Sequence, residues 1–219
     1  MALRFMRIFI AFCAAATSGL VSAQPAGALG DDFIYRIRQG DTLIQLAGTY
    51  TRNESNWATL QRLNSVGDPY RLMIGSELRI PLALIPEVPA PTQAVHVSGS
   101  ASMNGTPLRE GMPIAEGATI TTSANGFVTL QLADGTKVTL PQGGTTQVER
   151  LRQFEGSALT DSILRVERGT LDSHVAPSGQ GVGRFEVRTP VAVTGVRGTR
   201  FRVQAGAHGA RSEVIDGSV

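Results

Sequence analysis

Cysteine is almost absent from this chain of 219 residues. The single cysteine, Cys13, lies inside residues 1–23, which have the pattern of a secretory signal. A basic start is followed there by an apolar core and by the small-residue cleavage site Val21-Ser22-Ala23. The apolar run is too short for a comfortable membrane span, so no span is expected after cleavage. The mature chain is therefore expected to contain no disulfide and no thiol nucleophile.

Lysine is equally scarce, since Lys137 is the only one and nearly all positive charge is arginine. The chain has 20 Lys+Arg against 18 Asp+Glu, and removing Arg4 and Arg7 of the leader leaves 18 of each sign. Proteins that bind nucleic acid usually carry a basic surface. The balanced charge therefore predicts no nucleic-acid partner.

Residues that build catalytic and metal sites are also sparse. His96, His174 and His208 are scattered without the spacing of a metal-ligand set. A glycosidase needs two carboxylates on either side of one bond, and the sequence singles out no such pair. We therefore expect no enzymatic activity, no catalytic residue, no metal and no cofactor.

The best-defined unit covers residues 33–82, where the pattern is strand, helix, helix and strand. Residues 35–38 alternate apolar and charged side chains, as a half-buried strand does. Thr42 and Gln45 form a T-x-x-Q cap at the start of the first helix. The apolar residues of this helix fall on one side at helical spacing: Leu43, Leu46, Ala47 and Tyr50.

A second helix is predicted to begin near Asn53 or Ser55 and to end at Asn64, a residue type that often takes the left-handed conformation. It carries Trp57, the only tryptophan, which is expected to fill the core. A loop and a closing strand at residues 77–81 complete the unit.

Three motifs of this unit carry a resemblance: Y-R-I-R-Q-G-D-T-L, then L-Q-R-L-N, then D-P-Y-R-L-x-I-G-S-E-L-R-I-P. In this order they resemble the LysM module, a common bacterial peptidoglycan-binding domain. The resemblance covers about residues 33–82. It implies a βααβ fold that binds N-acetylglucosamine-containing glycans, such as peptidoglycan, in a shallow groove between two loops.

The resemblance implies glycan-binding residues in both loops: Gly40, Asp41, Thr42 and Leu43 in the first, and Asp68, Pro69, Tyr70, Arg71, Leu72 and Ile74 in the second. Gly40 lets a ligand approach the backbone, and Leu72 or Ile74 could supply an apolar floor for an acetamido methyl group. Asp41 is explained equally well by the turn and Thr42 by the helix cap. Tyr70 and Arg71 have no such structural explanation and are the more informative candidates.

The chain changes character after residues 83–93, whose prolines predict an extended, semi-rigid linker. From residue 94 onward no convincing helical period appears. Strand-like runs recur between glycine-containing turns: 95–98, 119–122, 127–132, 137–140, 163–166, 185–188 and 201–203. They predict an all-β domain over residues 94–219, as an antiparallel sandwich, barrel or β-roll. Residues 150–161 are interpreted as an irregular surface excursion between strands.

This second region resembles the FecR domain. The resemblance rests on L-R-E-G-M-P-I-A-E-G-A-T-I-T-T, on F-V-T-L-Q-L-A-D-G-T-K-V-T-L and above all on R-T-P-V-A-V-T-G-V-R-G-T-R-F. The domain is named after iron-transport signalling proteins that pass a periplasmic signal to a sigma factor, although many other carriers lack that machinery. Its pattern would normally run into another strand after Val219, which indicates a fragment or a truncated gene product.

The whole sequence thus predicts an α+β chain with a small βααβ domain, a Pro-rich linker and an all-β domain. Our first hypothesis is a non-enzymatic, peptidoglycan-binding protein that is periplasmic or otherwise exported, in which the LysM-like unit tethers a β domain with an unknown protein partner. A periplasmic signalling regulator is the first alternative, although the leader leaves no room for a segment that binds a sigma factor. A LysM-targeted wall hydrolase is the second.

Overall fold

The structure, a computed structural model, describes residues 28–29, 31–175, 183–195, 200–206 and 209–216. The predicted signal at residues 1–23 lies outside these residues. So do residues 196–199, which belong to the last FecR-like motif.

The N-terminal part is a small helical unit on a short sheet. Its elements are β1 (Ala28–Leu29), β2 (Asp32–Arg36), α1 (Leu43–Thr51), a 3-10 turn (Glu54–Asn56), α2 (Trp57–Leu63) and β3 (Glu77–Pro81). The three strands are antiparallel in the order β1-β2-β3. The predicted order of strand, helix, helix and strand is therefore present, with β1 as an additional strand. We call residues 32–85 the helical unit.

Helix α1 begins where its cap predicts. The Thr42 hydroxyl accepts the Gln45 backbone N–H at 3.3 Å. The hydroxyl also donates to the Gln45 side-chain oxygen at 3.1 Å, so this side chain does not complete the usual capping box with the backbone. The predicted apolar side faces the core, with Leu43, Leu46 and Ala47 buried.

The end of α2 differs from the prediction. The left-handed residue is Ser65, with φ +52°, whereas Asn64 has φ −100°. The Asn64 amide instead accepts the Arg79 N–H at 2.8 Å and donates to the Arg79 and Leu60 carbonyls. Asn64 therefore ties the end of α2 to β3, which a rule about helix termini alone does not predict.

Beyond residue 85, all regular elements of the described chain are strands, as expected. After a 3-10 turn (Leu82–Leu84) they are β4 (Glu87–Pro89), β5 (Gln93–Ser98), β6 (Ala101–Met103), β7 (Thr106–Pro107), β8 (Thr119–Thr122), β9 (Phe127–Gln131), β10 (Lys137–Leu140), β11 (Thr145–Phe154), β12 (Thr160–His174), β13 (Arg184–Arg188), β14 (Val193–Gly195), β15 (Arg200–Gly206) and β16 (Gly209–Asp216).

Among the described residues these thirteen strands form one hydrogen-bonded sheet. Its main order is β5-β9-β10-β12-β11-β8-β6-β7; β4 adds to β11, β13 and β15 add to β12, and β14 and β16 extend the edges. The pairing is antiparallel except between β12 and β13, which run parallel against our expectation. The choice between sandwich, barrel and β-roll stays a prediction.

The sheet surrounds its own apolar core. Strand β15 shows the underlying pattern, because Phe201, Val203 and Ala205 are buried while Arg202 and Gln204 between them are exposed. The side chains that fill this core come from loops and from eight of the thirteen strands (β5, β8 to β13 and β15), so its stability rests on packing between elements distant in sequence.

The expectation of a surface excursion at residues 150–161 is wrong. This segment is the end of β11, a tight turn and the start of β12. Phe154 and Leu159 are buried at 6% and 1% exposure in the core of the helical unit, not on the surface. Gly156 has φ +69°, and a Cβ there would lie 3.2 Å from the Thr49 carbonyl of α1. The β11–β12 hairpin therefore completes the core of the helical unit.

The Pro-rich segment runs along this hairpin. After the 3-10 turn at Leu82–Leu84 it is hydrogen-bonded to the hairpin: β4 pairs with the end of β11, and the Glu155 N–H donates to the Pro86 carbonyl at 2.9 Å. Ile85 is buried in the core of the helical unit. The domain boundaries stay a prediction. The segment between the two regions contacts both of them, because Ile85 packs in the core of the helical unit and β4 pairs with β11.

Candidate functional site

Two loops that lie far apart in sequence meet at one end of the helical unit. The Leu43 N–H of the first loop (residues 40–43) donates to the Pro69 carbonyl of the second loop (residues 68–74) at 3.0 Å. Beside them, the Ile37 carbonyl accepts the Gly75 N–H at 2.8 Å, and the Ile37 N–H donates to the Ser76 carbonyl at 2.9 Å. All ten predicted site residues therefore lie on two adjacent segments.

Three of the four predicted residues in the first loop have structural roles. The Asp41 carboxylate accepts the Tyr35 hydroxyl at 2.8 Å and the Arg38 N–H at 2.7 Å. Thr42 caps α1, and Leu43 is fully buried. Gly40, in contrast, has φ +89° with no atom within 4 Å of where a Cβ would stand. A ligand can therefore reach the first loop most directly over the Gly40 backbone.

The Tyr35–Asp41 contact stiffens the base of the first loop. Burial of the phenol and its hydrogen bond to Asp41 raise the pKa of Tyr35 to about 12. The hydroxyl consequently stays protonated and donates to Asp41 at any physiological pH. Asp41 therefore shapes the loop from inside.

The second loop presents its side chains outward. The Asp68 carboxylate accepts the Tyr70 N–H at 2.9 Å, and its carbonyl accepts the Arg71 N–H at 3.2 Å, so Asp68 builds a turn. Tyr70 is 67% exposed and Ile74 is 64% exposed, and Arg71 is exposed as well. Leu72 packs against the core instead. Tyr70, Arg71 and Ile74 are thus the predicted residues that are free to touch a ligand.

Sequence reasoning missed one residue of this surface. Met73 is 77% exposed, the highest value among the large apolar side chains of the described residues. A signal was available, because Leu72, Met73 and Ile74 are three apolar residues in a row just before Gly75. A loop on a small core cannot bury three consecutive side chains, so at least one must face solvent.

The chemistry of this surface suits binding. A tyrosine ring and two aliphatic side chains offer an apolar platform, and large apolar groups are exposed together most often at interaction sites. The Arg71 guanidinium adds hydrogen-bond donors but no acceptor. Such a set can hold a neutral or anionic polar molecule with an apolar face.

Comparison with family models decides what the two regions are. The LysM domain model matches residues 35–81, and the FecR protein model matches residues 118–219. The chain carries a LysM domain followed by a FecR domain. The order is the predicted one, although the FecR match begins one residue before β8 and leaves β4 to β7 outside it. Searches of curated proteins and of solved structures found no match.

These two domain types restrict the function. LysM domains bind N-acetylglucosamine-containing glycans such as peptidoglycan, and FecR domains are related to signalling. Both are binding or regulatory domains rather than catalytic ones. None of the helices in the described residues is long and apolar enough to cross a membrane.

One buried carboxylate of the FecR domain, that of Asp161, has a structural role. Asp161 is 3% exposed and accepts hydrogen bonds from Arg150 at 2.5 Å and from Arg184 at 2.6 and 2.8 Å. The bond to Asp161 raises the pKa of Arg184. A buried carboxylate that is paired twice fixes neighbouring strands. Arginine and carboxylate partners of this kind join β11, β12 and β13.

Proposed function

We propose that this protein is an exported, non-enzymatic peptidoglycan-binding protein whose LysM domain holds the FecR domain at the cell wall. The observation that supports this most is the second loop, where Tyr70, Met73 and Ile74 are exposed beside the Arg71 guanidinium. The predicted signal at residues 1–23 supports a periplasmic or otherwise external location.

The glycan contacts divide between two kinds of residue. Tyr70 offers a ring face to a pyranose, and Met73 and Ile74 offer an apolar surface to an acetamido methyl group. Arg71 donates to hydroxyl or carbonyl oxygens of the sugar. Gly40 leaves the backbone of the first loop open, whereas Asp41, Thr42, Leu43, Asp68, Pro69 and Leu72 shape the two loops.

The contact between the two regions supports the tethering role. The β11–β12 hairpin contributes Phe154 and Leu159 to the LysM core, and Arg52, the residue that follows α1, pairs with Glu155 at 2.9 Å. A domain attached through a shared core has less freedom than one on a flexible linker. The FecR domain is therefore presented from the wall in one orientation, toward a protein partner.

Co-sedimentation with isolated sacculi tests the proposal. Tyr70→Ala combined with Arg71→Ala should weaken binding about tenfold, which corresponds to about 1.4 kcal/mol for one stacking contact and its hydrogen bonds. Both side chains are exposed, so the variant should keep its fold, which Trp57 fluorescence can verify.

The matched control removes one aromatic and one cation from the FecR domain, Phe127→Ala with Lys137→Ala, and should bind as the unmodified protein does. Failure of the unmodified protein to sediment with sacculi would reject the wall-tethering role. Equal retention of the double variant and its control would reject the site while leaving the role in place.

The FecR match favours one alternative, a regulator that passes a signal across the membrane. That role needs an uncleaved N-terminal segment in the membrane, whereas the tethering role needs cleavage near Gln24. Mass spectrometry of the protein recovered from the producing cells separates the two. An N-terminus at Gln24 excludes the regulator, and an intact leader supports it.

A further inference from the structure

A cleft of about 680 Å³ opens in the strand-rich region, and it shares no residue with the two loops of the candidate site. It lies between residues 89–93, which run from the end of β4 to the start of β5, and the segment 111–116. The remaining lining residues are Gln131, Leu132, Leu151 and Arg152. All lining residues are described, and none of them borders a segment outside the described residues. Clefts of this size hold small ligands or single side chains of a partner.

The cleft is built into the fold, because the chain crosses here between two strands that are not neighbours. Strand β4 pairs with β11 and β5 pairs with β9, whereas β10 and β12 lie between β9 and β11 in the sheet. Residues 90–92 span this gap. The Ala90 N–H donates to the Leu151 carbonyl at 3.0 Å, and the Ile114 N–H donates to the Thr92 carbonyl at 2.8 Å. The two walls are therefore fixed before any ligand arrives.

Most of the cleft surface is apolar. Its floor consists of four aliphatic side chains that are at most 6% exposed: Ala90, Ile114, Leu132 and Leu151. Its rim carries three exposed proline rings: Pro89, Pro91 and Pro113. None of the lining residues is aromatic, so a sugar finds no ring here to stack on. The floor instead suits an aliphatic side chain.

Hydrogen-bonding groups flank this floor on two sides. Gln93 and Gln131 lie directly opposite each other on β5 and β9, and both are exposed. On β11, the Arg152 Nη2 donates to the Glu116 carboxylate at 3.0 Å. A glutamine amide both donates and accepts hydrogen bonds, and the ion pair balances its own charge. The polar groups therefore favour a neutral ligand that donates and accepts on both sides.

Two polar atoms of the lining residues lack a hydrogen bond. The Thr92 hydroxyl is closed off from solvent and has no partner among the described residues. The Arg152 Nε lies 2.8 Å from the Glu116 carboxylate, but at an angle that does not form a hydrogen bond. Buried polar groups without a partner cost stability and are uncommon in folded proteins. The carbonyl groups of a ligand are acceptors of the kind that both atoms lack.

We propose that this cleft binds an extended, uncharged peptide segment of a partner protein. The N–H and C=O groups of an extended chain point to both sides of it, toward the glutamine amides and toward the Arg152–Glu116 pair, while one aliphatic side chain enters the floor. An anion is not favoured, because Arg152 is the only cation that lines the cleft and it is already paired.

The segment between the two matched domains supplies most of this site. Ten of the fourteen lining residues lie at positions 89–116, before the FecR match begins at residue 118. The site therefore depends on how this chain joins its two domains. It deepens the proposed function, on which it rests, because it assigns the surface through which the tethered region takes its protein partner.

Selection of heptapeptides from a random phage-displayed library on the immobilised full chain tests the proposal. Ala115 is exposed and lines the cleft, so Ala115→Trp places an indole there without disturbing the core. Ala133→Trp is the matched control, because Ala133 is exposed in the β9–β10 turn and does not line the cleft. Enriched peptides should be uncharged with a central aliphatic residue. They should bind the unmodified protein and the control about tenfold more tightly than the Ala115 variant.

Three outcomes overturn the proposal: no enriched peptide, an enriched set of acidic peptides, or peptides that bind the Ala115 variant as tightly as the unmodified protein. The selection contains no glycan, so its failure leaves the wall-tethering role in place. Conversely, a protein that does not sediment with sacculi but binds such peptides at the cleft loses the tethering role and keeps this site.

The polar side of the cleft is tested with a selected peptide. Gln93→Ala combined with Gln131→Ala should weaken its binding about tenfold, because two hydrogen bonds are lost. Gln204→Ala, which removes an exposed glutamine of β15 outside the cleft, should leave it unchanged. In NMR titrations of the unmodified protein, the side-chain NH₂ signals of Gln93 and Gln131 should shift. Unchanged affinity in the double variant, or unmoved NH₂ signals, also overturns the proposal.

Discussion

Replacing Phe154 by alanine is expected to destabilise the LysM domain, although Phe154 belongs to the segment matched by FecR. Phe154 is 6% exposed and shares an apolar cluster with Leu43, Leu60 and Ile80, which are fully buried in the LysM domain. Phe→Ala in a core costs about 3–5 kcal/mol. Since a hairpin end can partly close the cavity, we expect a loss of about 3 kcal/mol in the free energy of unfolding.

Urea denaturation followed by two signals measures this loss. Trp57 is the only tryptophan and packs against the LysM core, so its fluorescence reports the unfolding of that domain. With a urea dependence of about 1.5 kcal/mol per molar, the Trp57 midpoint should fall by roughly 2 M. Circular dichroism follows the strands of the FecR domain, whose transition should shift less.

The control is Phe127→Ala. Phe127 is 39% exposed on β9, where its ring lies 6.0 Å from the His96 ring, so its loss should cost less than about 1 kcal/mol. An unchanged Trp57 midpoint in the Phe154 variant, or an equal shift in the control, would refute the idea that the hairpin completes the LysM core.

Two further changes probe the first loop. Thr42→Ala removes the cap of α1 and should lower the free energy of unfolding by about 1 kcal/mol, as measured by urea titration. The folded variant should still bind sacculi. A folded variant that has lost sacculus binding would make Thr42 a ligand contact. Raising the pH from 10 to 12 should lower the free energy of unfolding. Tyr35 loses its proton near pH 10 in the unfolded chain but near pH 12 in the folded protein, so the folded state holds more protons between these two values. The stability present below pH 10 is lost as the pH rises through 12. Tyr35→Phe should reduce this dependence of the unfolding free energy on pH. An equal dependence on pH in both proteins would contradict the role of Tyr35.

Much of the LysM domain could be predicted because its signals are local. The cap at Thr42 and the apolar side of α1 depend on residues within one helical turn, and the alternation in β2 depends on nearest neighbours. The motifs that identify the domain are runs of adjacent residues. The candidate site could be predicted only as a set of ten residues, because exposure is not a local property. Tyr70 and Leu72 are two positions apart, yet one faces solvent and the other packs on the core.

By itself, the sequence determined the two domain types, their order and the position of most strands, since each depends on short patterns of residue type. Only the tertiary structure decided that Phe154 and Leu159 of the β11–β12 hairpin complete the LysM core. The hairpin contact joins positions as far apart as Arg52 and Glu155, which are 103 residues apart. No window of neighbouring residues contains such a pair, so its partners become visible only when the chain is folded.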